Sequence, residues 1–244
     1  MDFEVVNENV GTLARRIVCS MDDGENKKSL TCINPHSYAV ALEDTDFFAS
    51  IKNSDFVVID GVGLQLCAQI INRQAVKRIT GYDVFINVMG CMNENKNKRV
   101  FFLGSDEENL NLIKEKVQKE YPNISIVGTY SPPFVDSFSK QDIVKISDAI
   151  DKCKVDALWV GLTAPKQEKL IEHLKLHCNF KWAFAVGAVF DYYTGKLYRP
   201  GPLVRQFGLE WLFRLTQQPK KIGKRLFFSN MKFIIYCLKR YISR

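Results

Sequence analysis

Three stretches of the chain carry residue types and spacings that can do chemistry. In the first, Asp60-Gly61-Val62-Gly63 places a carboxylate directly after the apolar run FVVI. A carboxylate held rigidly at the end of a buried strand can take a proton from a substrate hydroxyl. A plain Asp-Gly turn uses the same residues. The glycine pair also resembles the opening of a dinucleotide fingerprint, but the third glycine and the later strand-end acid are missing, which disfavours a nicotinamide-dependent oxidoreductase. In the second stretch, Gly161 to Glu168, the run DALWVG leads into a helix with Pro165 near its first position. Thr163, Lys166 and Gln167 at such a helix start suit phosphate or sugar hydroxyls, although a well-capped strand-to-helix turn needs no ligand. The third runs from Gly208 to Arg214 and on to Lys221, Lys224 and Arg225. These cations can neutralise a diphosphate leaving group without a metal, and arginine forks onto phosphate oxygens better than lysine does.

Two further patterns look metal-like and are read otherwise. Asp44-Thr45-Asp46 has the spacing of a metal-holding DxD element but lies inside an amphipathic stretch, where an Asp opens or faces a helix. His173 and His177 are four apart on an expected helix, yet no third ligand accompanies them.

The elements that must position these residues follow from periodicity. Short β-branched or aromatic runs occur at 30–34, 56–60, 99–104, 124–128, 156–161 and 182–187, most ending in Gly, Asn or Asp. Helix-like segments alternate with them at 37–52, 61–73, 82–93, 106–120, 139–153 and 165–177. That alternation predicts an α/β fold, a Rossmann-like and mostly parallel sheet flanked by helices, over residues 1–192. Ligands of such sheets sit outside the carboxyl ends of the strands, where the first two stretches begin, so site residues are expected just after these runs.

Residues 193–244 change character: a Gly/Pro hinge, TGKLYRPGP, precedes helix-like sequence. Charge divides at the same place. Residues 1–192 hold 22 basic and 26 acidic residues, and 193–244 hold 12 and 1, within an overall net charge of +7. If 222–242 is one helix, Arg225, Lys232 and Lys239 form a basic stripe. Beside it Ile222, Leu226, Phe233, Cys237 and Tyr241, with Phe227, Ile234 and Leu238, form an apolar face. Such a helix either lies in an anionic membrane interface or packs its apolar face on the main domain.

Length and composition exclude several classes. At 244 residues with 46% apolar and 25% charged content, the chain is neither disordered nor collagen-like, and no run approaches the roughly 20 apolar residues of a membrane span. Seven cysteines without a CxxC pair read as reduced thiols, and MDFEVVNENV is unlike a secretory signal, which together predict a cytoplasmic location. The basic tail also admits a nucleic-acid-binding module, but that would leave Asp60 and the PKQE stretch without a purpose, so no nucleic-acid partner is expected.

Taken in order, these segments resemble the bacterial glycosyltransferase family named for WecG, TagA and CpsF, glycosyltransferase family 26. The resemblance rests on Ile33-Asn34, Asp60-Gly61, Arg78-Ile79-Thr80-Gly81-Tyr82-Asp83, Phe101-Phe102-Leu103-Gly104, Tyr121-Pro122, Ile126-Val127-Gly128 and Val160-Gly161. It continues through Ala164-Pro165-Lys166-Gln167-Glu168, Val186-Gly187, Phe190-Asp191, Thr194-Gly195, Arg199, Gly208-Leu209-Glu210-Trp211, Arg214 and Pro219. It implies a fold of the GT-E type, with 193–244 as an appendage docking on the cytoplasmic face of the inner membrane. It also implies an inverting transfer, using neither metal nor cofactor, from a UDP-sugar to an undecaprenyl-diphosphate-linked sugar in cell-surface polysaccharide or teichoic-acid synthesis. N-acetylmannosamine is the leading sugar, with glucose or a uronic acid as alternatives. Asp60 is then the catalytic base, and Asn34, Gly61, Arg78, Asp83, Gly104, Thr163, Lys166, Gln167, Glu168, Asp191, Arg214, Lys221, Lys224 and Arg225 contact substrate.

Three positions depart from the family pattern. Cys32 stands where a threonine is common, so a strong hydroxyl donor is lost. Lys221 and Lys224 stand where arginines are usual, keeping charge but not the fork, with Arg225 as the replacement. Arg199-Pro200-Gly201-Pro202 replaces Arg-Ala-Pro and stiffens the hinge.

Overall fold

The computed structural model describes residues 3–242 except Glu25, Gln74 and Gly208; the side chains of Asn72, Pro202, Gln206, 220–222 and 224–226 also fall outside the description. Six strands, β1 (Lys28–Ile33), β2 (Phe56–Ile59), β3 (Lys98–Gly104), β4 (Ile124–Tyr130), β5 (Val155–Gly161) and β6 (Phe180–Ala185), form one sheet in the order β2-β1-β6-β5-β3-β4. Every pairing is parallel. The expected α/β fold is therefore present. β5 shows why these runs become strands: VDALWV is buried throughout, as a strand covered on both faces must be.

One face carries α1 (Val10–Asp22), α5 (Gly81–Glu94), α6 (Glu107–Glu120) and α9 (Val189–Thr194), which share a core with an aromatic stack running through Phe56, Trp182, Phe184 and Trp159. The other carries α2 (Pro35–Ala41), α3 (Thr45–Lys52), α7 (Lys140–Asp151) and α8 (Lys166–His177). α4 (Val62–Asn72) follows β2. Right-handed crossovers explain the division. Steps from β1 to β2 and from β4 through β5 to β6 run one way along the strand order and put α2, α3, α7 and α8 on one face, whereas β3 to β4 runs the other way and puts α6 on the opposite face. The direction therefore reverses between β5 and β3, and Asp60 follows the carboxyl end of the edge strand β2, on the side of the sheet where open α/β folds bind ligands.

The expected helix 37–52 is two helices, because Asp44 interrupts it: its side chain accepts from the Phe47 amide (3.0 Å) and caps α3. Asp44 also pairs with Lys169 at 2.7 Å, so the first acid of the DxD pattern is occupied by a helix start and a lysine. α1 was absent from the strand-helix alternation. Its buried Leu13, Ala14, Ile17, Val18 and Met21 follow helical spacing and close one end of the core.

The C-terminal segment is helical, comprising α10 (Pro202–Gln206), α11 (Glu210–Gln217) and α12 (Pro219–Ile242). α12 packs on α2 and α4. Phe233 is buried against Tyr38, Leu64 and Ala68, and Lys232 is paired with Glu43 at 2.7 Å. The single apolar face drawn from the sequence is thus two faces. Phe233 and Cys237 pack toward the body, whereas Phe227, Ile234, Leu238 and Tyr241, joined by Phe228, Met231, Ile235 and Ile242, are exposed. No described helix is long and apolar enough to cross a membrane.

Candidate active site at the carboxyl ends of the strands

Asp60 is delivered by β2. Its amide donates to the Ile33 carbonyl (2.7 Å), extending the β1–β2 ladder by one residue beyond the strand. Its Oδ2 accepts from the Gly81 amide at 3.2 Å. Burial, followed by the neighbouring Glu210 carboxylate, pushes its pKa up to about 6, and the Gly81 amide and Arg78 oppose that rise. Close packing fixes the turn: a Cβ on Gly61 would lie 2.8 Å from Pro35 Cδ, so only glycine lets the β2–α4 turn touch the start of α2. Gly81 is equally confined, by the Val186 carbonyl, Val189 and Cys32.

Asn34 caps α2, and its Oδ1 accepts from the Ser37 amide (3.0 Å). Its two amide N–H donors and the second lone pair of Oδ1 are left to serve a ligand. Cys32 lies within electrostatic reach of three acids; burial first, then Asp60, Glu168 and Asp83, raise its thiol well above the ordinary range.

Arg78 follows a parallel bridge from Ile59 and reaches the C-terminal segment. It donates to the Glu210 carboxylate and to the Arg205 carbonyl (2.9 Å). Its Nε is buried without a partner among the described residues, and so are the Nε atoms of Arg205 and Arg214. Three buried guanidinium donors awaiting an acceptor suit an anion rich in oxygens. Asp83 serves α5, accepting from the Thr80 amide (3.3 Å) and from Arg199 (3.1 Å). Arg199 also lies over the Tyr82 ring, 4.1 Å from its centroid.

The PKQE stretch faces inward more than its sequence suggests. Gln167 is buried, with Oε1 accepting from the Gly187 amide (3.0 Å) and Nε2 donating to Glu168 (2.9 Å). Both ends of its amide are engaged, the oxygen on the β6–α9 turn and the nitrogen on Glu168 of α8. Glu168 is 2% exposed, its Oε2 has no partner among the described residues, and burial lifts its pKa to about 7. Lys166 donates to the Val135 carbonyl and faces the Phe134 and Phe138 rings, while Thr163 is exposed in the loop. Gly104 ends β3 at φ +114°, where an added Cβ would meet the Gly161 carbonyl at 2.5 Å. Asp191 on α9 accepts from buried Asn109 (2.9 Å).

Around Asp60 the structure thus gathers Arg78, Glu210, Cys32, Asp83 and Gly81, with Tyr192 in electrostatic reach of Arg214, Glu210 and Asp60. Thr163 lies in the β5–α8 loop and Lys166 opens α8. The side chains of Lys221, Lys224 and Arg225 lie outside those described. Sequence reasoning did not single out Glu210, Arg205 or Asn109 individually. Glu210 had one available signal, as the only acid among residues 193–244.

Because the Glu210 carboxylate helps raise the Asp60 pKa, Glu210→Gln is expected to move the acid limb of the pH–kcat/KM profile below its wild-type position. A profile measured across pH 4.5–8 that keeps its acid limb in place would separate Glu210 from Asp60. Among the described residues, no group of three or more His, Cys, Asp or Glu is placed to hold a metal ion.

A buried carboxylate at the carboxyl end of a strand in a parallel α/β sheet, with an arginine acting on it, is an arrangement that can activate a hydroxyl next to an anion. The family profile described as Glycosyl transferase WecG/TagA/CpsF matches residues 1–244, and the chain belongs to that family; it is a glycosyltransferase. It is 31% identical over 210 residues to a Bacillus subtilis (strain 168) protein, covering 86% of this chain and 78% of the relative. That relative is named N-acetylglucosaminyldiphosphoundecaprenol N-acetyl-beta-D-mannosaminyltransferase. Proteins of the same name from Bacillus spizizenii (strain ATCC 23059 / NRRL B-14472 / W23; 29% identity, 84% of this chain and 77% of theirs) and Staphylococcus aureus (strain MRSA252; 25%, 90% and 84%) match as well.

Proposed function

We propose that this glycosyltransferase moves a hexose-type sugar, with N-acetylmannosamine the leading choice, from a UDP-sugar to a sugar carried on undecaprenyl diphosphate. The observation that carries the reading is buried Asp60 at the carboxyl end of β2 with Arg78 acting on it, together with the buried Nε atoms of Arg78, Arg205 and Arg214, which have no partner among the described residues. The names of the relatives supply the acceptor and the sugar.

In this reading Asp60, with a pKa of about 6, is mostly ionised at neutral pH and takes the proton of the acceptor hydroxyl. The hydroxyl oxygen then bonds to the anomeric carbon as the bond from that carbon to the diphosphate oxygen breaks on the opposite face, which inverts the anomeric centre. Arg78, Arg205 and Arg214 take up the charge that develops on the departing diphosphate. Positive charge supplied by side chains is the basis for expecting a metal-independent reaction.

The test is UDP release by the full chain with a panel of UDP-sugars, each with and without a polyprenyl-diphosphate-N-acetylglucosamine analogue, in EDTA. Acceptor-dependent release from one donor is the expected result and names the sugar. Release that needs a divalent cation removes the metal-free part of the proposal, and no release from any donor removes the substrate assignment.

Residues 193–244 are proposed as the part that docks the enzyme peripherally on the cytoplasmic membrane face. Phe227, Phe228, Met231, Ile234, Ile235, Leu238, Tyr241 and Ile242 form an exposed row at helical spacing, and α10 to α11 add Leu203, Phe207, Trp211 and Leu212. Exposed apolar residues beside basic ones suit an anionic lipid surface better than a polar partner. Vesicles containing phosphatidylglycerol are expected to pull down the wild-type chain. The Ile234→Glu/Leu238→Glu variant should remain in the supernatant, and equal binding of both would exclude this row as the contact.

A further inference from the structure

Helix α12 is joined to the body by a pair of cysteines that the activity does not use. Cys67 on α4 and Cys237 on α12 bring their sulfurs to 2.8 Å, across 170 residues of chain. Both are free thiols and neither is fully buried. The remaining cysteines are placed differently. Cys153 and Cys178 donate to the Val127 and Ser147 carbonyls, Cys32 sits among acids, and Cys19 and Cys91 lie on α1 and α5. The Cys67–Cys237 pair belongs to a continuous seam that includes the His36–Ser229 hydrogen bond (2.6 Å), the Tyr38–Tyr236 hydrogen bond (3.3 Å) and buried Phe233. That seam reaches the site, since α4 starts at the Asp60–Gly61 turn and a Cβ on Gly63 would lie 3.8 Å from the Phe233 ring.

We propose that Cys67 and Cys237 are a reversible thiol–disulfide site, oxidised by a low-molecular-weight disulfide, whose closure fastens α12 to α4. The sulfurs need only a small approach to reach the bonding distance of roughly 2.05 Å. Either thiol can donate the hydrogen bond that joins the two sulfurs, and the one that ionises first is the attacking thiolate. It bonds to one sulfur of the small disulfide and expels the other half as a thiolate. The second cysteine of the pair then loses its proton to solvent and attacks the sulfur of the first, releasing the second half as a thiolate. One disulfide is reduced to two small thiols as one protein disulfide forms, so electrons and atoms balance. Transient disulfides of this kind are the form in which redox-sensing pairs occur in reducing compartments.

The consequence is mechanical. The helix with the exposed apolar row loses its freedom to leave the seam, and the cross-link closes a long loop of the unfolded chain, which favours the folded state. This inference does not depend on the substrate assignment.

The full-length protein is incubated with oxidised glutathione or with dithiothreitol, then denatured, alkylated and mapped by mass spectrometry, with hydrogen exchange on the undenatured samples. The expected result is loss of two of the seven thiols, no retained glutathione, a cross-linked peptide containing Cys67 and Cys237, slower exchange along α12, and full reversal by dithiothreitol. Cys67→Ser and Cys237→Ser should each abolish the cross-linked peptide, leaving at most a mixed disulfide with glutathione on the remaining cysteine of the pair. Seven intact thiols, a cross-link between other cysteines, or unchanged α12 exchange in the cross-linked protein would each overturn the proposal.

Discussion

Asp60→Asn is expected to lower turnover by roughly 10³-fold while leaving the fold and the thermal transition cooperative, since a positioned base contributes about 10²–10⁴. Asparagine keeps the size of the side chain and can still accept from the Gly81 amide through its carbonyl oxygen, so the turn geometry survives. What it loses is the capacity to take a proton. On this proposed role the same group is expected to set the acid limb of the wild-type rate profile: below about pH 6 the carboxyl is protonated, and kcat/KM should fall about tenfold per pH unit.

Linkage gives a second, opposite readout. The folded pKa of about 6 lies above the unfolded value, so between the two the folded state binds more protons and stability declines as pH rises through that window. The neutral variant escapes this decline. Its melting temperature at pH 7.5 is expected to exceed that of wild type, by an amount corresponding to on the order of 2 kcal/mol. An enzyme that loses activity and gains stability at one residue has a base there. A variant with near-normal turnover, or one that simply unfolds, does not support that role.

Arg78→Gln should cost about 10²-fold in kcat/KM and also destabilise the protein, for two separable reasons. The guanidinium is the partner of the partly buried Glu210 carboxylate, and stranding that charge costs about 3 kcal/mol. It is also one of the three arginines proposed to meet the diphosphate. The double variant Arg78→Gln/Glu210→Gln distinguishes these reasons, because it removes both charges together. Its thermal midpoint is expected to return close to wild type while kcat/KM stays low. Recovery of activity along with stability would make Arg78 a structural tie between β2 and α11 and nothing more. Calorimetry and steady-state kinetics on the two single variants and the double variant complete the cycle.

Most of the framework was legible in the chain. Each of the six runs read as strands became one; central strands such as β5 are apolar along their length because both faces are buried, and the edge strand β4 kept β-branched Ile and Val in its run although most of it is only half-buried. The starts of α6 and α7 were legible for a different, local reason. Asp106 and Ser139 cap α6 and α7 through bonds to amides three residues away. The position of Asp60 after β2, the basic C-terminal segment and the family resemblance also needed only the order of residues. The division of 37–52 by Asp44 was a local event, but a cap inside an amphipathic stretch looks like another surface residue until the turn before it is seen.

Tertiary structure decided which side chains stay available. Gln167 reads as a pocket residue from its loop, yet its amide is used 20 residues away at Gly187. Arg78 meets Glu210 across 132 residues, which puts a second carboxylate in the electrostatic environment of Asp60. On α12 the apolar residues were visible, but their assignment to two faces was not, because α2 and α4 cover Phe233 and Cys237 while leaving Ile234 and Leu238 uncovered. The reason is common to all three cases. Secondary structure depends on patterns within a few residues, whereas burial, pairing and pKa depend on which distant surfaces the completed sheet brings together.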